Sequence, residues 1–334
     1  MSEIGKNTNL SETANKNWIG VDVGGTKTAI VLCSQPPIIR DRIEFPTLPD
    51  QGPERALNMI RDKIHQLIRT HGIDRKQIAA IGISCGGPLD RVSGVIQAPP
   101  NLSTWVDVPI VSILHREFGV ECRLENDANA GAVAEHRYGA GQGTQHMIFL
   151  TMGTGFGAGI IADGRLYHGA TDTAGEIGHV RLTSSGPVGY NKAGSVEGWA
   201  SGGGMAQTAV QQVTAAMEKG EKTALAAQLE ANKALTAKDV AIAAQQGDRV
   251  AQQIVYSTAC RLGEALAILV DLLNPELIVI GGLAMRFGES LLAPARTVIE
   301  REALDVPARA CKIVPAALGE QIGDIAAISV AIGF

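Results

Sequence analysis

Three stretches of this chain set residues capable of chemistry at the ends of short apolar runs. In the longest, Met147 to His179, the run ends at Thr151, and Gly153, Thr154, Gly155, Gly157, Ala158 and Gly159 follow. The apolar pair Ile160-Ile161 comes next, then Asp163-Gly164, a dipeptide strongly favoured in two-residue hairpins, so the glycines are expected between two strands. Backbone N–H groups with no side chain over them can cradle an anion such as phosphate. Glu176 and His179 close the stretch, a polar pair suited to binding hydroxyl groups. In the second stretch a strand, Trp18–Val23, carries Asp22 at its end, Gly24, Gly25, Thr26 and Lys27 turn the chain, and Thr28–Cys33 returns as a strand. Gly-Gly alone would justify a plain turn; the acid beside it makes phosphate or metal contact an equal reading. The third is Glu125-Asn126-Asp127-Ala128-Asn129, which follows a strand over Glu121–Leu124 and opens an alanine-rich helix. Helix capping accounts for one or two of its polar residues. It does not account for all of them, so the segment reads as a site.

The elements that must position these stretches alternate in type. Pro53 to Thr70 carries Ala56, Leu57, Ile60, Ile64, Leu67 and Ile68 at helical spacing and stops at Gly72. Ile78–Ser84 is a buried strand ahead of Cys85-Gly86-Gly87-Pro88, a turn without side-chain bulk. Ala98–Leu102 reads as an extended loop, because residues preceding proline avoid helix, and it presents Asn101. Val108–Phe118 is expected to be a short helix. Thr183–Gly198 is a glycine-rich loop with Glu197 near its end, just ahead of a helical region starting at Trp199. Helices are expected over Met205–Met217, Lys222–Glu230, Ala237–Gln245 and Val250–Leu273, the last broken by Asn274-Pro275. A strand over Glu276–Ile280 ends at Gly281-Gly282; a helix through Glu302, a strand over Cys311–Pro315 and a helix after Gly323-Asp324 complete the chain. This alternation indicates an α/β fold with mixed sheets. The halves share a loose echo of strand, glycine turn and strand.

Composition narrows the class. A length of 334 residues exceeds the roughly 250–300 at which one hydrophobic core stops growing, so two domains are expected. Hydrophobic residues at 45% and charged residues at 19% describe a soluble globular protein. The net charge of −5, with no lysine- or arginine-rich run, argues against nucleic acid as a partner. No apolar stretch reaches the roughly 18 residues that span a bilayer, which argues against a membrane. Residues 1–16 are polar, lack a signal-peptide core and read as a disordered tail. The cysteines, Cys33, Cys85, Cys122, Cys260 and Cys311, have no paired spacing, which favours a reducing cytoplasmic setting.

Taken together, the motifs resemble the ROK family of sugar kinases and repressors, within the actin-like ATPase superfamily. Asp22-Val23-Gly24-Gly25-Thr26-Lys27 resembles its first phosphate motif, Glu125–Asn129 its catalytic segment, Thr151-Met152-Gly153-Thr154-Gly155 its second phosphate motif, and Gly281-Gly282 its adenosine motif. The spacing of Gly169, Gly175, Gly178 and His179 matches the family signature. The resemblance implies a two-lobed, ribonuclease H-like fold of mixed sheets flanked by helices. Its smaller lobe would take 17–127 with 323–334 and its larger lobe 128–322, with the active site in the interdomain cleft. It implies ATP and Mg2+ as cofactors and a hexose as substrate. Asp127 would be the general base. Gly87, Asn101, Asn126, Glu176, His179 and Glu197 would surround the sugar, and Asp22 would orient Mg2+, through water. Gly24, Gly25, Thr26, Lys27, Thr151, Gly153, Thr154, Gly155, Gly281 and Gly282 would contact ATP. A homodimer follows by analogy with the family.

One departure from the family is plain. Its members often carry a structural zinc on one histidine and three cysteines, in a CxCGxxGCxE run ending at the second sugar-binding glutamate. Counted back from Glu197, those cysteine positions hold Val188, Tyr190 and Ser195, so no zinc is expected and the Thr183–Gly198 loop must be held by packing. Glucose phosphorylation at the 6-hydroxyl is the leading expectation; mannose, fructose, N-acetylmannosamine and N-acetylglucosamine share the frame. A sugar-binding regulator without catalysis is the alternative, disfavoured by the presence of Asp22, Asp127, Thr154 and Glu197. A DNA-binding repressor would need a helix-turn-helix domain ahead of Trp18. A dinucleotide oxidoreductase fails because the glycine run leads into a strand, whereas that fingerprint opens a helix.

Overall fold

The computed structural model describes residues 16–334. The reading of residues 1–16 as a disordered tail falls, up to residue 15, outside the described residues. Contacts divide the chain into two compact units, one running up to Ala130 and resuming at Gln321–Phe334, the other Gly131–Glu320.

The first unit is built on β1 (Asn17–Val23), β2 (Lys27–Gln35), β3 (Ile38–Pro46), α1 (Pro53–Thr70), β4 (Ile78–Cys85), the short hairpin β5 (Leu89–Asp90) and β6 (Val95–Ile96), α2 (Ile110–Phe118), β7 (Glu121–Asn126) and the start of α3 (Asp127–Tyr138). Its five-stranded sheet has the order β3-β2-β1-β4-β7, antiparallel across β3, β2 and β1 and parallel across β1, β4 and β7. The α1 stripe Ala56, Leu57, Ile60, Ile64 and Leu67 is buried against this sheet's apolar residues. Each fully buried leucine or isoleucine is worth roughly 1.5–3 kcal/mol.

The second unit continues with β8 (Met147–Met152), β9 (Phe156–Ala162), β10 (Arg165–Leu166), β11 (Val188–Gly189), β12 (Lys192–Ala193), α4 (Val196–Ala200), α5 (Gly202–Glu218), α6 (Ala226–Glu230), α7 (Ala237–Gln245), α8 (Arg249–Leu273), β13 (Leu277–Ile280), α9 (Leu283–Phe287), α10 (Glu289–Glu302), α11 (Asp305–Ala310) and β14 (Lys312–Pro315). Its five-stranded sheet, β10-β9-β8-β13-β14, repeats the first: antiparallel across β10, β9 and β8, parallel across β8, β13 and β14. The loose echo heard in the sequence is thus a shared topology. The fold is the mixed α/β arrangement expected. α8 is long and apolar enough to cross a membrane, but 61% of its apolar window is buried and it serves as a core helix here. The last helix, α12 (Ile322–Ile332), belongs to the first unit and lies directly on its sheet, because Gly20 and Gly82 carry no side chain. A Cβ on Gly82 would stand 2.2 Å from Ala331 N.

Several local expectations are corrected. β3 was not legible because Arg40, Asp41, Arg42 and Glu44 interrupt its apolar residues; those charges suit a sheet edge, where they block further pairing. Pro100–Leu102 is a 3-10 turn rather than extended chain, with proline at its first position. The helix expected through Glu302 is two, α9 and α10, parted at Gly288 with φ 53°. α11 was not anticipated, and α6 begins only at Ala226. Gly157 and Gly159 lie inside β9, opposite Thr151 and Phe149, so the bare turn is confined to Gly153–Gly155.

Candidate active site

In the first unit the strand ends bring the acids together. β1, β4 and β7 are parallel neighbours in which Asp22 pairs with Ser84 and Cys85 with Asn126, so Asp22 and Asp127 emerge at one edge of the sheet. That edge, at the carboxyl ends of parallel strands, is where open α/β sheets bind ligands. Asn126 caps α3: its Oδ1 accepts from Ala128 N at 3.0 Å and Asn129 N at 3.5 Å. Glu125 is buried and takes Asn126 N and Asn129 Nδ2, each at 3.0 Å, which fixes the start of the helix from behind. Capping therefore explains Glu125, Asn126 and Asn129, and leaves Asp127 exposed with one oxygen on Ala128 N at 2.8 Å. Gly86 and Gly87 supply the space beside it. A Cβ on Gly86 would stand 3.9 Å from Asp127 Oδ2, and one on Gly87 3.4 Å from Asn126 Nδ2.

The Gly24–Lys27 turn is closed by Gly24 N donating to Lys27 O and braced by Thr47, whose hydroxyl donates to Gly24 O at 2.6 Å. The N–H groups of Gly25 and Thr26 have no backbone partner among the described residues, as an anion cradle requires. Asn101 packs against the turn: a Cβ on Gly25 would stand 2.6 Å from Asn101 Cβ. Lys27 pairs with Glu44 at 2.9 Å, and Glu44 also holds Arg42.

Electrostatics single out Asp22. Surrounding protein desolvates its carboxyl, and Asp127 and Asp324 add negative charge, so its pKa is pushed up to about 7. Arg42 binds Asp324 at 2.8 Å and partly offsets the burial that raises that group. Asp127 is exposed yet still raised, chiefly by desolvation from the protein around it. Burial and the same two acids, Asp127 and Asp22, hold the Cys85 thiol protonated and remove it as a nucleophile. A surplus of carboxylate fits a hydrated divalent cation at Asp22. Among the described residues no three His, Cys, Asp or Glu side chains are arranged to ligate a metal directly, and Mg2+ characteristically keeps several of its waters. Asp324 and Arg42 were missed from the sequence, because nothing local links positions so far apart.

In the second unit the Gly153–Gly155 turn joins β8 to β9 with Thr154 exposed at its tip, while Thr151 is drawn into the sheet opposite Gly157. The carbonyls of Gly153 and Thr154 accept from Gly202 N at 2.8 Å and Gly203 N at 3.3 Å, at the start of α5. The run Gly202-Gly203-Gly204 was overlooked. Three glycines opening a helix cost helix propensity, and that was the available signal. A Cβ on Gly204 would stand 1.8 Å from Gly198 O, so α4 and α5 approach this closely because position 204 has no side chain. Glu197 lies in the first turn of α4 rather than in the loop before it. Its Oε2 accepts from Phe156 N at 3.1 Å, and a Cβ on Gly155 would stand 2.9 Å from that oxygen. Glu197 and the Gly153–Gly155 turn are therefore one assembly.

Glu176 and His179, both exposed, flank a single 3-10 turn, Ile177–His179. Gly175, with φ 97°, and Gly178 let this turn lie on β9: a Cβ on either would stand 2.1 Å from Ala158 O or 2.2 Å from Phe156 O. Gly281 donates to Leu150 O at 2.8 Å and Gly282, with φ 65°, passes over Met152 O, which packs this pair against the end of β8. The second unit thus groups Gly153, Thr154, Gly155 and Glu197, with Gly281 and Gly282 beside the same strand end.

The chain is similar to known proteins along nearly all of its described length. The ROK family model matches residues 18–333. A glucokinase of Halalkalibacterium halodurans is 35% identical over 310 residues, covering 92% of this chain and 92% of that protein. A xylose repressor of Caldicellulosiruptor bescii is 32% identical over 249 residues, covering 74% of this chain and 61% of that protein. The crystal structure of a ROK family glucokinase from Streptomyces griseus in complex with glucose and AMPPNP is similar with a TM-score of 0.77. It is 30% identical and the match covers 95% of this chain and 100% of that one.

Proposed function

This chain belongs to the ROK family, and on that footing we propose that it is an ATP-dependent sugar kinase that converts glucose to glucose 6-phosphate. The observation that carries the reading is Asp127. Its exposed carboxylate stands beside the bare backbone of Gly86 and Gly87, at the strand ends where Asp22 also arrives. The similar glucokinases, and the glucose and AMPPNP in the Streptomyces griseus complex, support glucose and ATP as the substrate pair.

In this reading Asp127 accepts the proton of the sugar hydroxyl as its oxygen attacks the γ-phosphorus; the bond to the bridging oxygen breaks and ADP leaves. Phosphoryl acceptors need alignment and late proton removal rather than a strong base, and a raised carboxylate pKa suits that task. Gly87, Asn101, Asn126, Glu176, His179 and Glu197 hold sugar hydroxyls. Backbone N–H groups of Gly24–Lys27 and Gly153–Gly155 receive the phosphates, and Gly281-Gly282 lies against the adenosine. Asp22 would hold Mg2+, through water, and the ion would neutralise charge on the phosphate oxygens.

The test is ADP formation with ATP, Mg2+ and a panel of glucose, mannose, fructose, N-acetylmannosamine and N-acetylglucosamine. Glucose should give the highest kcat/KM, with ADP and glucose 6-phosphate in equal amounts. No hexose-dependent ADP from any member would overturn the reading. A better kcat/KM for another sugar would keep the kinase and correct the substrate.

A further inference from the structure

The structural zinc that members of the family often carry does not fit this chain at the positions before Glu197. Zinc takes thiolate, imidazole or carboxylate ligands. The positions in question offer an exposed Val188 with no donor atom, an exposed phenol, Tyr190, and a buried hydroxyl, Ser195. Ser195 is already spent as the cap of α4, accepting from Gly198 N at 3.1 Å. The chain's cysteines all lie outside the segment 183–198.

We infer that contacts from within the second unit hold this loop without metal, and that Tyr190 is a positioning residue for His179. The loop folds as the hairpin β11–β12, with Tyr190 at φ 39° and Asn191 at φ 61°, the pair of left-handed residues a tight hairpin turn needs. Gln207 of α5 clamps its first strand, accepting from Val188 N and donating to Val188 O, both at 2.9 Å. Gly194 O receives Leu182 N and Thr183 N, and Gly194 N donates to Pro187 O, closing the base of the hairpin. Trp199 donates through Nε1 to Thr183 Oγ1 at 2.7 Å, with the Arg261 guanidinium 5.0 Å from its ring centre. At the tip the Tyr190 ring meets the His179 imidazole edge to face, centres 6.2 Å apart, and Lys192 Nζ donates to His179 O at 2.7 Å. His179 is therefore gripped from this hairpin through its ring and its carbonyl.

The role of Tyr190 rests on the reading of His179 as a sugar ligand; the metal-free loop does not. The test pairs Tyr190→Asn with Tyr190→Phe, because asparagine accepts the left-handed turn and removes only the ring. Tyr190→Asn should raise the KM for glucose about 2- to 10-fold with kcat and the KM for ATP unchanged, and Tyr190→Phe should restore the wild-type value. An unchanged glucose KM in Tyr190→Asn, or an equal loss in Tyr190→Phe, would overturn the positioning role. Elemental analysis of the dialysed wild-type protein should find no stoichiometric zinc, EDTA should leave its Tm unmoved, and Gln207→Ala should lower that Tm. About one zinc per chain together with a chelator-sensitive Tm would overturn the metal-free loop. These last measurements stand even if the wild-type protein phosphorylates no hexose, a result that would sink the function proposed above and the sugar role of Tyr190 with it.

Discussion

The β1–β2 turn and the β8–β9 turn occupy equivalent places in sheets of one topology, yet they are built differently. The first is braced by a threonine hydroxyl, Thr47, and lies among acids: Asp22 at its root, Asp127 just past the end of β7, two strands away, and Asp324 on α12. The second has no acid of its own. Its carbonyls are tied to the glycines that open α5, and its one carboxylate, Glu197, arrives from α4. The duplicated sheet thus supplies two glycine turns, and the segments packed on them differ. On the proposed reading the first serves reaction and metal, the second serves binding, with the sugar ligand Glu197 bonded to the phosphate turn itself.

Removing Mg2+ is the severest way to probe the acidic side. EDTA should take turnover to background and excess Mg2+ should restore it, because charge on the transferring phosphoryl group is then unneutralised; retained activity would break the assignment of Asp22. Glu197→Gln probes the other side. Loss of a charged hydrogen bond worth about 1.5–3 kcal/mol should raise the glucose KM roughly 10- to 100-fold. Because the same carboxylate holds Phe156 N, the KM for ATP should rise as well, by a smaller factor. A change in stability alone would reduce Glu197 to a helix cap. The Mg2+ requirement should also depend on pH. With Asp22 at about 7, its carboxyl is mostly protonated at pH 6 and mostly ionised at pH 8. The Mg2+ concentration for half-maximal rate should therefore fall roughly tenfold between those values. A flat profile would place the metal elsewhere. The smallest effects distinguish the two turns sterically. Gly25→Ala must displace Asn101, carbonyl oxygen included, and should cost about 1–3 kcal/mol in urea unfolding. Gly155→Ala meets only the end of the Glu197 side chain and should leave stability nearly intact while raising the glucose KM a few-fold. Equal stability losses would mean that the second turn is as rigidly backed as the first.

Much of this division could be read from the chain. The apolar strand, glycine turn and returning strand are local signals, and so are the helical stripe of α1 and the capping residues around Asp127. What stayed hidden is non-local. The bond from Phe156 to Glu197 spans the whole His179 turn and the β11–β12 hairpin, and Arg42 reaches Asp324 from the far end of the chain. β3 was hidden for another reason: an edge strand protected by charge looks like a polar loop. The glycines at 175 and 178 were noticed by spacing alone, whereas their cause is contact with β9. The Glu44 that pairs with Lys27 lies on that same edge strand, so this ion pair was hidden with it.

The most direct measurement of the central claim is Asp127→Asn, assayed for turnover and for glucose affinity by calorimetry on the same preparation. Asn126, Glu125 and Asn129 hold the helix start without help from the Asp127 side chain's free oxygen, so the variant should fold and bind glucose as the wild type does. Its kcat should fall about 10²- to 10⁴-fold. Near-wild-type turnover with intact glucose binding would contradict the account and take the base away from Asp127.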